Sequence, residues 1–439
     1  MLDINLIREK TEEVRKALLK RMDHVDFTEL LQWDKERRDL IFEVDELRAK
    51  RNKVSAQIPL MKKEGKDIRD LLNEMKSVSD RIKGLDTDLS ELEKKIKSLL
   101  ESLPNIPADD VPAGGKENNE LIRTWGKKPE FNFEPKDHVE LVNSLNLIDY
   151  ERGVKMGGNG FWLYKGDGAI LEWAILNYFV KEHLKDGYEF ILPPHILIYQ
   201  CGYTAGQFPK FEDDVFQLNP PPTPSQEGMK PEEGKEFEQF LLPTAETALI
   251  NYHRDEILQE EELPKKYFAY TPCYRKEAGS YRTEERGMIR GHQFNKVEMF
   301  QYTRPEDSEQ ALEELIGKAE RLVQGLGLHY QVSKLAAGDA SPSMAKTYDI
   351  EVWIPSMGEY KEVSSASNAH DYQARRGNIR FKRKETGKNE YIHTLNASGL
   401  ATSRLIPAIV EQFQQEDGSV IIPEVLRDWV GKDVIKRLV

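Results

Sequence analysis

The chain has 439 residues, enough for two or three domains with sizeable cores, and 32% of them are charged, which points to a globular protein with long exposed helices. A net charge of −13 argues against non-specific nucleic-acid binding over the whole surface, so only a local basic patch could hold a phosphate backbone. Two cysteines, Cys201 and Cys273, make neither a disulfide framework nor a zinc knuckle, no apolar run approaches a membrane span, and the first twenty residues are strewn with charge; a cytoplasmic protein without signal peptide or anchor is expected.

Residues Met1 to Leu19 read as a helical surface segment. From Leu30 a heptad begins: Leu30, Trp33, Arg37, Leu40, Val44, Leu47, Arg51, Val54 and Ile58 alternate in steps of three and four. A second series runs Ile68, Leu71, Met75, Val78, Ile82, Leu85, Leu89, Leu92, Ile96, Leu99 with no polar member. Such spacing marks a coiled-coil seam. Pro59 is expected to end the first helix and Gly65 to permit a reversal, giving an antiparallel hairpin over about residues 28–100, on the order of 45 Å long. Lys50, Arg51, Lys53, Lys62, Lys63, Lys66 and Arg69 crowd its tip, against only Glu64, Asp67 and Asp70. A solvated surface, a grip on a phosphate backbone and a protein-docking arm are all compatible with that pattern.

Leu103 to Gly115 is rich in Pro and Gly and breaks the helical pattern. The expected organisation is an N-terminal domain over 1–103, a linker over 104–123 and a second domain over 124–439. In the latter, helices are expected at Gly168–Lys185, Ala245–Leu258, Pro305–Leu326 and Ser398–Gln415. Strands are expected at Glu189–Leu192, Tyr267–Thr271, Asn295–Tyr302, His329–Val332, Thr347–Ile354, Tyr360–Ser365 and Tyr391–Leu395. Strands that follow one another without helical crossovers favour an α+β domain, a mostly antiparallel sheet flanked by helices. There is no GxGxxG and no GxxxxGK[ST]. Leu218 to Glu238, rich in Pro, Glu and Gly, reads as a surface insertion.

The stretch Thr271 to Gln301 has the order strand, charged connection, strand. Strand periodicity puts Arg275 and Glu277 on one face, and Phe294, Lys296 and Glu298 on one face, with Phe294 and Glu298 about 13 Å apart. Arg275, Arg282, Arg286 and Arg290 suit a polyphosphate, and equally a salt-bridged hairpin shared with Glu284 and Glu285. On the residues alone both readings stand.

With hairpin, linker and antiparallel domain in this order, the chain closely resembles the bacterial-type seryl-tRNA synthetases, of class II, from MLDINLIREK to EQFQQEDGSVIIPEVLRDWV, apart from the insertion near Pro220. Residues 166–194 look like motif 1 of that class, which implies a homodimer. Residues 267–301, with the run YRKEAG, match motif 2, and residues 391–415, with NASGLATSR, look like motif 3. The resemblance implies that Arg275 binds the α-phosphate of ATP, that Glu277 accepts from the adenine amino group and that Phe294 stacks on adenine. Lys276 and Arg290 join the ATP set, and Arg404 clamps the γ-phosphate. It implies that PTAE, Pro243 to Glu246, holds the serine ammonium through Thr244 and Glu246, with Ala245 between them. Glu298 receives the serine hydroxyl, and Asn396 and Ser398 line the same pocket. Glu362, Val363, Ser364 and Ser365 match the stretch before motif 3, where Glu362 and Ser365 would ligate Mg²⁺, an ion that requires hard oxygen donors. A strict strand sets residues three apart on opposite faces, so a bulge or strand end is required there. Ala366, Ala397, Ser403 and the segment Ala340 to Met344 depart from the family's usual pattern, and put substrate fit and rate in question.

The implied reaction forms seryl-adenylate and pyrophosphate from L-serine and ATP, then passes the seryl group to tRNA(Ser), with the hairpin reaching the tRNA body; whether tRNA(Sec) is also an acceptor is left open. The rival readings are a catalytically silent paralogue that binds RNA or regulates, an enzyme serylating another acceptor, and a coiled-coil interaction protein.

Overall fold

A computed structural model describes residues 1–65, 67–218, 238–277 and 287–437. Lys66, most of the insertion at 218–238, and Arg282, Glu284, Glu285 and Arg286 of the connection lie outside the described residues. Two compact units form, Met1–Ile106 and Pro107–Val439.

The first unit opens on two short helices, Ile4–Glu9 and Thr11–Leu18. Helix α1 (Thr28–Lys63) then packs along α2 (Arg69–Ser102), each about 50 Å long at 1.5 Å per residue. The seam is the apolar series expected from the heptads, with Val44, Met75, Val78, Ile82 and Leu85 at its centre. Leu100 is buried in place of Leu99. Across the seam Arg48 pairs with Asp86 at 2.9 Å, Lys50 with Glu74 at 2.6 Å and Arg81 with Glu43 at 2.9 Å. Pro59 does not end the helix: α1 continues to Lys63. Pro59 is exposed, so the backbone carbonyl that it leaves without a donor can turn to water. The reversal comes at Gly65, whose φ of +72° is a conformation that glycine adopts without steric cost.

The second unit is built on an eight-stranded sheet. Its elements are β1 (Glu120–Trp125), α3 (Asp167–Lys185), β2 (Glu189–Ile191), β3 (Lys265–Tyr274), β4 (Gln293–Thr303), α4 (Ser308–Gly325), β5 (Tyr330–Lys334), β6 (Lys346–Ile354), β7 (Glu359–Asn368), β8 (His393–Ala401) and α5 (Thr402–Gln412). The strand order is β1-β5-β6-β7-β8-β4-β3-β2, antiparallel throughout except where β2 runs parallel to β3. Residues 104–123, expected as linker, reach into this sheet: Glu120 already pairs with Lys334.

Two sequence expectations shift, for different reasons. Residues 398–401 extend β8 instead of opening a helix, because pairing with β4 overrides weak local preference. The helix expected over Ala245–Leu258 stops at Leu249. Beyond it the Asn251 amide donates to the Cys201 and Thr247 carbonyls, and Asp255 adopts φ +65°.

Side-chain alternation on β4 decides which face holds chemistry. Val297 and Met299 enter a core shared with Leu171, Ile175 and Phe179 of α3, Leu315 and Leu322 of α4, and Leu405 and Ile409 of α5. Each such burial contributes about 1.5–3 kcal/mol. Phe294, Lys296 and Glu298 take the other face, and Phe300 and Tyr302 continue it into a second apolar cluster.

Candidate active site

A buried polar cluster sits where β4 and β8 pair, with Glu298 opposite Ser398 and Phe300 opposite Asn396. Glu298 accepts from Asn396 Nδ2 at 3.1 Å and from Ser398 Oγ at 3.3 Å, and its Oε2 lies 2.7 Å from Lys296 Nζ. The same ammonium donates to Thr244 Oγ1 at 2.6 Å. Asn396 Nδ2 also reaches Glu246 Oε2 at 3.4 Å, while Gln373 donates to Glu246 Oε1 at 2.7 Å and is itself held by Thr394. Two carboxylates thus share one buried ammonium. Burial, followed by the charge of Glu298, pushes the Glu246 carboxyl up to about 7. Two carboxyl groups around one ammonium, lined by amide and hydroxyl groups, suit a small ligand carrying an ammonium and an alcohol.

A cleft adjoins this cluster through Lys296 and Ser398. Arg275, Glu277, Arg290, Phe294, Glu362 and Arg404 also line it. Strand β3 ends at Tyr274, so Arg275 and Glu277 do not share a face through strand alternation; Glu277 has φ +51° and forms a 2.9 Å ion pair with Arg290. The Arg275 guanidinium lies 5.2 Å from the Phe294 ring centroid, and its Nε donates to the Pro243 carbonyl at 3.2 Å. Arg404 donates to the Ile289 and Glu362 carbonyls at 3.2 and 2.7 Å and lies 3.5 Å from the Glu362 carboxylate. An aromatic plate flanked by guanidinium groups suits a nucleobase and its phosphates.

The bulge that the Glu362–Ser365 spacing requires is present: Ile350 pairs with Ser364 and Glu351 with Glu362, so Val363 is the extra residue. Val363 and Ser364 are buried, whereas Glu362 and Ser365 retain exposure. Glu362 and Val363 line the cleft; Ser365 does not, and pairs across the sheet with Asp349. Burial, then the Glu362 charge, holds the Asp349 carboxyl well above the usual range, and its Oδ1 has no hydrogen-bond partner among the described residues.

A third buried acid ties the surrounding elements together. Glu172 of α3 accepts from Asn295 of β4 at 2.7 Å and from Thr402, the first residue of α5, at 2.6 Å. Burial pushes its carboxyl up to about 7.

Residues 1–107 match the family model for the seryl-tRNA synthetase N-terminal domain, and residues 230–413 that for the class II tRNA synthetase core domain (G, H, P, S and T). Over 434 residues, 99% of this chain and 100% of the relative, the chain is 67% identical to serine–tRNA ligase 2 of Clostridium acetobutylicum. It belongs to the seryl-tRNA synthetases. The serine–tRNA ligase of Geobacillus kaustophilus is 47% identical over 99% of this chain and 100% of its own. The crystal structure of seryl-tRNA synthetase from Pyrococcus horikoshii complexed with ATP superposes with a TM-score of 0.91 at 36% identity, covering 100% of both chains.

The class II fold, with its antiparallel sheet and preceding helical hairpin, is the architecture expected from the sequence. In this seryl-tRNA synthetase, Thr244, Glu246, Glu298, Asn396 and Ser398 meet in the polar cluster, and Arg275, Glu277, Arg290, Phe294 and Arg404 meet in the cleft. Ala245 is buried beside them; Ser364 turns inward, donating to the Ser398 carbonyl, and Lys276 donates its backbone N–H to Asp214. The sequence reading places Lys296 on one strand face with Phe294 and Glu298 but gives it no role in the site, and it gives none to Gln373 or Asp349. The signal for Lys296 was its place between Phe294 and Glu298 on one strand face; Gln373 lies in a helix far along the chain and left no such signal. On the arm, Lys53, Lys62 and Lys63 are exposed and have no side-chain ion pair among the described residues, whereas Lys50 and Arg69 are engaged by Glu74 and Asp67.

Proposed function

We propose that this seryl-tRNA synthetase activates L-serine in the buried cluster with ATP in the adjoining cleft, then passes the seryl group to tRNA(Ser). The observation that carries this reading is the shared border: Lys296 and Ser398 belong to the cluster and also line the cleft that holds Arg275, Phe294 and Arg404.

Glu246 and Thr244 take the serine ammonium, the cation that the excess carboxylate calls for. Glu298 takes the hydroxyl, with Asn396 and Ser398 fixing its orientation. Phe294 stacks on adenine, Glu277 accepts from its amino group, and Arg275 neutralises charge on the α-phosphate while the serine carboxylate attacks it. Arg290 adds positive charge along the phosphates and Arg404 holds the γ-phosphate. No protein nucleophile is called for in either step. Mg²⁺ fits the oxygen donors of Glu362 and Ser365, which the bulge keeps on the accessible side, with the half-buried Asp349 carboxyl paired across from Ser365. When bound, the ion supplies charge neutralisation to the phosphates, and one or two carboxylates are the protein donor set that Mg²⁺ favours.

The basic arm tip, Lys50, Arg51, Lys53, Lys62, Lys63, Lys66 and Arg69, grips the tRNA body; tRNA(Sec) is a second acceptor to assay. Ile170 and Trp173 of α3, Leu192 and Ile196 expose an apolar surface that fits a homodimer, which light scattering would test. Among the described residues no helix is long and apolar enough to cross a membrane. The deciding experiment is ATP–pyrophosphate exchange with each of the twenty amino acids: serine alone is expected to support it, and exchange absent with serine overturns the reading.

A further inference from the structure

Glu246 has no side-chain ion pair among the described residues, because the Lys296 ammonium is engaged by Glu298 and Thr244 at 2.7 and 2.6 Å. Its one short side-chain hydrogen bond comes from a neutral group, the Gln373 amide, which donates to Oε1 at 2.7 Å. The other oxygen, Oε2, has only the long 3.4 Å contact from Asn396. One carboxyl oxygen is thus anchored and the other is left for a ligand.

Gln373 is itself buried, and its amide is held on every side. Nε2 also donates to the Ala205 carbonyl at 3.0 Å, and Oε1 accepts from the Thr394 hydroxyl at 2.7 Å. A carbonyl can only accept, so the atom beside Ala205 is the nitrogen, and the amide presents an N–H to Glu246. The support reaches the main sheet. Gln373 sits in the short helix Tyr372–Gly377, and the residues leading into it exchange backbone hydrogen bonds with Thr394 of β8. Ala369 donates to the Thr394 carbonyl at 2.9 Å, and Thr394 donates to that of His370 at 3.1 Å. Three residues beyond Gln373, Arg376 donates to the Tyr203 and Phe208 carbonyls, each at 2.6 Å, and so fastens the segment that supplies Ala205.

The choice of an amide has a chemical reason. A cation in its place would neutralise Glu246 and repel an incoming ammonium, whereas an apolar side chain would leave a buried carboxylate oxygen without a donor. We infer that Gln373 is a positioning residue for serine recognition, fixing the Glu246 carboxylate by one oxygen so that the other meets the substrate ammonium. The inference rests on the function proposed above. The charged groups that face Glu246 are Glu298 and Lys296 of β4, and Arg275. Burial and then Glu298 favour its protonated form; the Gln373 hydrogen bond, ahead of Lys296 and Arg275, opposes them.

The test uses Gln373→Met, which keeps the length of the side chain and removes its donor. Thr394→Val, which releases the amide from its orienting hydroxyl, is the second variant should the first not fold. The KM values for serine and for ATP are measured by pyrophosphate exchange from about pH 6 to 9. In Gln373→Met the KM for serine at neutral pH is expected to rise on the order of tenfold, and its increase on acidification to set in about one pH unit higher, with the KM for ATP unaltered. Thr394→Val should move the serine profile in the same direction by less. In a Glu246→Gln background, which has no carboxylate to position, adding Gln373→Met should change the KM for serine no further. An unmoved pH profile, an equal rise in the KM for ATP, or an added loss in the Glu246→Gln background overturns the assignment. Failure of the reading on which it rests is distinct: the unaltered protein itself would then show no serine-dependent exchange.

Discussion

Lys296 Nζ lies 2.7 Å from Glu298 Oε2, and both side chains are almost wholly buried, at 7% and 1% exposure. Two residues apart on β4, they share one strand face, so the ion pair follows from periodicity alone. Its setting makes it more than a local pair. The same ammonium holds Thr244, and Glu298 is in turn held by Asn396 and Ser398, so one cation organises three segments of the pocket.

Removing that cation leaves two buried carboxylates with no buried counter-charge. Lys296→Met is expected to destabilise the protein by about 3–5 kcal/mol, as breaking a buried ion pair from one side does. Urea unfolding followed by circular dichroism measures the loss, and an unchanged midpoint would contradict it.

Selectivity should follow Glu298. An acceptor arranged for a hydroxyl and left unpaired by alanine costs about 1–3 kcal/mol, so discrimination between serine and alanine of roughly 5- to 150-fold is attributable to it. Glu298→Ala should erase most of that ratio in pyrophosphate exchange; an unaltered ratio would remove Glu298 from the recognition of serine.

Serine affinity should depend on pH through Glu246. Its pKa is raised to about 7, so below that pH it carries a proton in the free enzyme and grips an ammonium poorly. The KM for serine is expected to rise as pH falls from 8 to 6, and Glu246→Gln should leave it high and flat. The sign for stability is opposite. Between the ordinary value of 4.5 and about 7 the folded state binds more protons than the unfolded one, so this group's contribution falls as pH rises across that window. Serine kinetics and thermal melting across this pH range test both.

Arg404→Ala should raise the KM for ATP about tenfold or more and leave that for serine nearly unchanged, because charge-assisted contacts to a phosphate are worth about 1.5–3 kcal/mol. Steady-state exchange kinetics with each substrate varied in turn would show the split, and equal effects on both would assign Arg404 elsewhere.

On the arm, Lys62→Glu with Lys63→Glu should weaken tRNA binding and lower the slope of log affinity against log salt by roughly 1–2, while exchange is unaffected. A slope that stays the same would take these lysines off the phosphate backbone.

Periodicity made much of this molecule readable from sequence. The arm followed from three-four spacing, and the face of β4 from alternation. Reading failed where a distant partner decides conformation. Ser398 to Ala401 look fit to begin a helix, yet complete a strand because β4 offers them backbone partners. Gln373 meets Glu246 across 127 positions of chain, a separation that no local pattern announces. Pro59 misled in the opposite direction: a residue that usually ends helices sits inside one, on an exposed face where its lost hydrogen bond can be replaced by water.

The tie made by Glu172 has a mechanical effect. Its carboxylate joins the helix bearing Ile170 and Trp173 to the residue next to Phe294 and to the helix that opens two positions before Arg404. A tilt of that helix would therefore be passed both to the strand that carries Phe294 and to the helix that carries Arg404, the residues proposed to hold the base and the γ-phosphate of ATP.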